Sequence, residues 1–181
     1  MKIKRKQKIL IAAGSCLSLI ILGFLGLKLI PSCPVLKEIR TVRGNSLEPL
    51  VPSGAQIKAL FGYYDCREIK RNDLVLYRYS GDEVPLLKKV TAIPRDSFQL
   101  VSRDNGGYYL YINGKIATNS QRAPYEFSGK QYQMLSLYEK DYKQVIPVNT
   151  YLLLGNRVNG SVDSSAFGLV DKTNILGKAV F

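Results

Sequence analysis

Apolar positions fall into two regimes along the chain. Ile9 to Leu27 runs without a single charge, and Leu29 and Ile30 extend the run past Lys28. A hydrocarbon core of about 30 Å needs about 20 such residues at helical rise, so residues 9–30 are expected to form one transmembrane helix. Lys28, near its end, can snorkel to the interface. Residues 31–40 read as a linker, because Pro31 to Lys37 holds two prolines and no periodicity. Beyond it the pattern turns to short β-rich runs. Leu74 to Tyr79 follows a turn-forming Asn72-Asp73 pair, Leu86 to Ile93 is rich in branched residues, and Tyr108 to Ile112 leads into Asn113-Gly114. That dipeptide predicts a type I′ hairpin, whose two central residues both need φ > 0. Tyr151 to Leu154 and Leu176 to Phe181 complete the expected strands. Many short strands between turns predict a mainly β, barrel-like domain over residues 41–181. Residues 120–144 break the pattern: polar, tyrosine-rich, and helical only over Met134 to Tyr142, they are expected to form a small cap or long loop.

Charge gives the chain an orientation. The formal net charge is +12, and five of those charges (Lys2, Lys4, Arg5, Lys6, Lys8) stand directly before the apolar run, with no comparable cluster after it. The positive-inside rule places residues 1–8 in the cytoplasm and everything after the helix outside. A cleaved secretory signal is the alternative, but its apolar region spans about 7 to 15 residues and ends in an A-x-A-like site; Lys28 to Cys33 has no such pattern. The other basic residues are scattered rather than blocked, which suits a domain beside anionic lipid and gives no nucleic-acid patch. An inner- or plasma-membrane protein with membrane lipid as neighbour and no nucleic-acid partner is expected, with nothing to demand more than a monomer.

Two residue types limit the chemistry. The chain has no histidine, so Ser-His-Asp and Cys-His nucleophile activation are excluded within it, as are histidine-based zinc sites. Cys16 lies inside the apolar run, which leaves Cys33 and Cys66 as either a disulfide or two free thiols.

Four segments then share one resemblance. Gly44-Asn45-Ser46-Leu47-Glu48-Pro49 resembles the nucleophile box of type I signal peptidases, with Leu47 where methionine is usual. Asn72-Asp73-Leu74-Val75 resembles their Gly-Asp-hydrophobic box, and Leu87-Lys88-Lys89-Val90 through Ile93-Pro94-Arg95-Asp96 their lysine box. Ser161-Val162-Asp163-Ser164-Ser165-Ala166-Phe167-Gly168 resembles the C-terminal Ser-x-Asp-Ser-Arg-x-x-Gly box. Taken singly, each is an ordinary turn, strand or loop; the order of all four behind an apolar anchor carries the likeness.

The resemblance implies Ser46 as nucleophile and Lys88 as general base, with Ser161 orienting the lysine and Asp163 as a structural carboxylate. It implies that Gly44 and Asn45 frame the nucleophile, and that no metal or other cofactor takes part. Physical chemistry supports such a pair. Serine needs a base within hydrogen-bond reach, and lysine serves only when neutral. Its ordinary pKa of about 10.4 must therefore fall by burial, for which Leu86, Leu87, Val90 and Ile93 are the candidate surroundings. Strand alternation sends Lys88 and Lys89 to opposite faces, so one of them can enter the site.

Departures are visible too. Ser165 stands where the family has the arginine that pairs with the Asp163 position, for which Arg157 is a candidate substitute, and Gly155-Asn156-Arg157 lacks an expected aspartate. The implied substrates are secretory preproteins with small residues at positions −1 and −3. Alternative readings are a specialised maturase of the same superfamily, of the conjugative pilin-processing type, and a catalytically inactive membrane-anchored binding module.

Overall fold

The computed structural model describes residues 33–79, 84–104, 106–158 and 160–181. The expected transmembrane segment at 9–30 and the basic tail lie outside the described residues. Among those described, no helix is long and apolar enough to cross a membrane.

The unit from Pro34 to Phe181 is built on two antiparallel sheets. In the larger, the strands run in the order β1-β2-β11-β3-β4-β9-β10. These are Leu36–Thr41 (β1), Gln56–Phe61 (β2), Leu74–Tyr77 (β3), Leu86–Ala92 (β4), Thr150–Leu154 (β9), Val170–Asp171 (β10) and Ile175–Val180 (β11). The smaller sheet holds Phe98–Ser102 (β5), Tyr108–Ile112 (β6) and Lys115–Ile116 (β7), with Glu126–Phe127 (β8) also pairing β6. The fold is mainly β, as expected, but no closed barrel forms. The larger sheet ends on β1 and β10, so its ladder stays open. Leu36–Thr41, which begins inside the 31–40 interval read as a linker and ends at the first residue of the expected domain, is a paired edge strand, in register from Leu36↔Phe61 to Thr41↔Gln56.

The central strands are buried on both faces. In β9, Leu152 and Leu154 pack with Phe98, Leu110, Tyr125 and Leu135 between the sheets, while Tyr151 and Leu153 face Val75, Val90 and Val170. A third cluster joins Leu47 and Val51, just after the candidate nucleophile, to Ile57, Leu76 and Ala179. The alternation of side chains along a strand thus stitches the layers together. At Asn113-Gly114 the predicted hairpin forms, with φ of 51° and 73° and Ile112 opposite Lys115.

The 120–144 excursion is more ordered than its sequence implied. It contributes β8 and a 13-residue helix, α1 (Gly129–Asp141). A second, short helix, α2, spans Ser164–Phe167. Both Cys66 and Cys33 are disulfide-bonded, which resolves the thiol alternative.

Asp73 ties the Asn72 turn to the sheet. Its carboxylate accepts from Lys178 Nζ at 2.6 Å, Tyr64 Oη at 2.9 Å and Lys70 N at 3.0 Å. Burial would raise its pKa, but the Lys178, Lys70 and Tyr64 hydrogen bonds outweigh burial and hold it below the usual carboxylate value. The native state therefore takes up this proton later than the unfolded chain as pH falls. The stabilisation is complete above the unfolded value of about 3.9 and is lost as pH drops through the lower native value. Asp73→Ala is expected to lower unfolding free energy by about 2–4 kcal/mol near neutral pH, because it strands a lysine and a tyrosine hydroxyl. In urea titrations the gap between wild type and variant should narrow as pH is lowered from the unfolded value of about 3.9 through the depressed native one.

Candidate active site

Ser46 stands in a turn between β1 and β2. Gly44 opens it with φ of +88°, a left-handed conformation natural to glycine. Asn45 O then accepts from Glu48 N at 3.1 Å, and Val51 N donates to Leu47 O at 3.0 Å. Leu47 and Val51 plug into the core, so the turn is anchored by the side chains that flank the serine. Ser46 itself is half-buried, while Gly44 and Asn45 are exposed.

Lys88 reaches this turn from β4. It pairs with Val75 of β3, is 3% exposed, and its Nζ lies 2.9 Å from Ser46 Oγ. Burial pushes the Lys88 amine below the ordinary lysine value, and the Asp163 carboxylate partly opposes that fall. Lys89 turns the other way, to Thr118 O at 3.5 Å and over the Tyr125 ring at 5.5 Å.

The two remaining candidates lie on the loop after β9. Asp163 is 4% exposed. One of its oxygens accepts from Gly155 N at 2.9 Å; the other accepts from Ser165 N at 3.0 Å and Ser165 Oγ at 2.7 Å, capping α2. Where an arginine was expected, the Ser165 hydroxyl satisfies the carboxylate locally, and Gln131 Nε2 of α1 donates to that hydroxyl at 3.0 Å. Arg157, the suggested substitute, is exposed, and its backbone N–H rather than its side chain enters the site, at 3.0 Å from Ser46 O. Ser161 is buried, and its Oγ meets no hydrogen-bond partner among the described residues. It nevertheless sits beside the Ser46 turn: a Cβ on Gly155 would lie 2.4 Å from Ser161 Oγ and 2.8 Å from Ser46 O.

Asn156 is the residue that sequence reasoning missed. It is fully buried, and its N donates to Ser46 O at 2.7 Å. Its side chain donates to Glu48 O at 3.1 Å and Ser120 Oγ at 2.8 Å, and accepts from Ser120 N at 2.9 Å. Tyr125 Oη adds a bond to Gly155 O at 2.7 Å. The available signal was the departure from the family pattern at this position, an amide in place of a carboxylate, which both donates and accepts.

A groove of about 550 Å³ opens onto Ser46 and Lys88, walled by Val42, Leu47, Ile57, Leu76 and Leu86. Its floor is apolar, its rim carries Arg40 and Arg43, and β9 pairing on β4 begins only at Lys89. A serine hydroxyl against a desolvated amine, at the end of an apolar groove, suits proton abstraction and nucleophilic attack on an acyl group.

Comparisons with known proteins give the family. The chain belongs to the family described as signal peptidase, peptidase S26, whose model matches residues 15–181. Among curated relatives, signal peptidase IB of Staphylococcus aureus strain Mu50 is 29% identical over 149 residues, covering 78% of this chain and 74% of that protein. Signal peptidase I of Bacillus caldolyticus is 29% identical over 143 residues, covering 77% and 75%. A crystal structure of a signal peptidase I from Enterococcus faecalis V583 is 20% identical, with a TM-score of 0.42, covering 62% of this chain and 97% of that one.

Gly155 offers a test of the loop. Gly155→Ala is expected to displace Ser161 or the Ser46 carbonyl, since contacts of 2.4 and 2.8 Å cannot be absorbed without movement. Peptide cleavage should drop by at least about tenfold, the scale on which misplacing a reactive group by a fraction of an ångström acts. Cleavage of a model preprotein, with near-ultraviolet circular dichroism to confirm folding, makes the measurement.

Proposed function

We propose that the protein is a membrane-anchored signal peptidase I-like serine endopeptidase that removes signal peptides from secreted preproteins, with Ser46 as nucleophile and Lys88 as general base. The observation that carries this reading is the 2.9 Å contact between Lys88 Nζ and Ser46 Oγ in a chain of the S26 family. Residues 9–30 form the anchor, 1–8 the cytoplasmic tail, and 41–181 the catalytic domain outside the plasma membrane. That topology is supported by the apolar run and by the lysine and arginine cluster ahead of it.

In the resting state the neutral amine of Lys88 accepts the Ser46 hydroxyl proton as Oγ attacks the scissile carbonyl. The lysinium so formed returns that proton to the leaving amine. A water molecule then hydrolyses the acyl-enzyme, with the amine again acting as base. Asp163 favours the charged lysinium, which suits the moment after proton abstraction rather than the resting state. The family resemblance assigns the orienting of the amine to Ser161, which lies beside the Ser46 turn with its Oγ unpartnered among the described residues, and the N–H of Ser46 is the oxyanion donor. The substrate lies extended along Leu86–Lys88, where β4 has β3 on one side only, and takes its affinity from main-chain hydrogen bonds. Alternate side chains then face one wall, so positions −1 and −3 share it.

Ser46→Ala and Lys88→Ala are each expected to abolish cleavage of a model preprotein by the full-length protein in detergent, whereas Lys89→Ala retains it. Lys88→Arg should be inactive as well, because a guanidinium cannot accept the proton. For wild type, the rate should rise with pH through an apparent pKa below that of free lysine, the direction set by burial. Activity that survives Lys88→Ala, or equal loss at Lys88 and Lys89, refutes the pair.

Bulky replacements at position −1 or −3 of the preprotein should stop cleavage, while the same change at −2 is tolerated. Protease added outside spheroplasts should digest the domain after Pro31. Normal processing of bulky −1 or −3 residues contradicts the specificity, and a protected C-terminal domain contradicts the topology.

A further inference from the structure

The groove beside Ser46 is apolar at its floor and cationic at its rim, where Arg40 and Arg43 stand. The two arginines differ in what they have left to offer. Arg40 is committed within the protein: its Nε and Nη2 lie 2.9 and 2.8 Å from Glu38 Oε2, and its guanidinium lies 5.0 Å from the centre of the Phe61 ring. Arg43 is exposed. Its guanidinium has none of the salt bridges and ring contacts that Arg40 and Arg103 make among the described residues. Glu48, the acid of the Ser46 turn, accepts from Ser53 N at 3.2 Å and forms no salt bridge with Arg43. The groove therefore presents one uncommitted guanidinium, three residues before the serine.

Strand geometry says which part of a substrate that guanidinium would meet. β1 is the edge strand of the larger sheet, so its side away from β2 carries no partner. Pairing on the β2 side continues past Thr41, since Val42 N donates to Ala55 O at 2.8 Å and Gly54 N donates to Val42 O at 2.9 Å. Successive side chains of such an extended segment alternate between faces. Val42 is 8% exposed and packs into the floor with Leu47 and Ile57, which sends Arg43 to the opposite face. Across the groove, Leu86–Lys88 is the stretch of β4 that β9 leaves unpaired. A peptide extended between these two edges shares their alternation, because residues opposite one another in a ladder project from the same face. With −1 and −3 on the Val42 face, −2 projects on the Arg43 face.

We propose that Arg43 is a specificity-determining residue that reads charge at position −2 of the preprotein, favouring an acidic side chain there over a basic one. The inference rests on the signal peptidase reading above and adds a charge rule at the position between the two small residues. A carboxylate at −2 accepts hydrogen bonds from a guanidinium that has no other acid to serve, whereas an ammonium there meets a like charge. Both effects are modest in solvent and are screened by salt.

The test uses the full-length protein in uncharged detergent and three model preproteins that differ only in Glu, Gln or Lys at −2. They are cleaved in competition, so that product ratios give relative kcat/KM directly. Wild type should favour the Glu form over the Lys form by roughly three- to tenfold, one attraction and one repulsion at an exposed site, with Gln between them. The ratio should shrink toward one at high salt. Arg43→Gln should bring it close to one, and Arg43→Glu should invert it, an outcome that a mere loss of structure does not produce. Lys143→Gln, which removes an exposed charge outside the groove lining, should keep the wild-type ratio. Cleavage with no charge preference at −2, or a preference that survives Arg43→Gln, overturns the proposal and leaves the peptidase reading standing. Cleavage of none of the three forms overturns that reading, and the proposal with it.

Discussion

Burying a lysine amine to 3% exposure penalises its charged form, and the arrangement of Lys88 beside Ser46 depends on that burial. Burial drives its pKa down, Asp163 pulls it back in part, and the partner at 2.9 Å is a neutral hydroxyl rather than a carboxylate. That balance requires two segments 42 residues apart in sequence to be held rigidly. The β3–β4 pairing fixes Lys88 opposite Val75, and the Leu47–Val51 plug fixes the serine turn in the same core as Leu76.

The carboxylate that moderates the lysine is itself constrained from several sides. Asp163 takes Gly155 N, Ser165 N and Ser165 Oγ, so its charge is stabilised by donors that bring no formal charge of their own. An arginine at 165 would have added a cation beside Lys88. The serine found there reaches the carboxylate through its own turn, and Gln131 of α1 braces it. Helix α1 is therefore coupled to the site through the Gln131–Ser165 hydrogen bond.

Asn156 plays the corresponding part for the Ser46 turn. Its backbone N–H and that of Arg157 both donate to Ser46 O, and its side chain bridges Glu48 and Ser120. A fully buried amide with both ends satisfied stabilises a unique arrangement, whereas an aspartate there would lack the donors given to Glu48 O and Ser120 Oγ.

The sequence by itself determined the strands that are buried on both faces, alternate between faces, or end in obligatory turns: β3, β4, β6, β9 and β11, with the Asn113-Gly114 hairpin and the turn at Asn72-Asp73. It also nominated Ser46 and Lys88 through the order of four boxes and the absence of histidine. Tertiary structure decided what local pattern cannot encode. Strand β1 has no apolar face of its own, its residues being exposed or half-buried, and exists through pairing with β2. Helix α1 buries only Leu135 and Ser136, too few to leave a helical period. Whether the sheet closes depends on the edges of β1 and β10, far apart in the chain, and the partners of Asp163 and Asn156 depend on how the loop after β9 folds against the serine turn. Hydrophobic period is a local property, while hydrogen-bond satisfaction of buried polar groups belongs to the assembled fold.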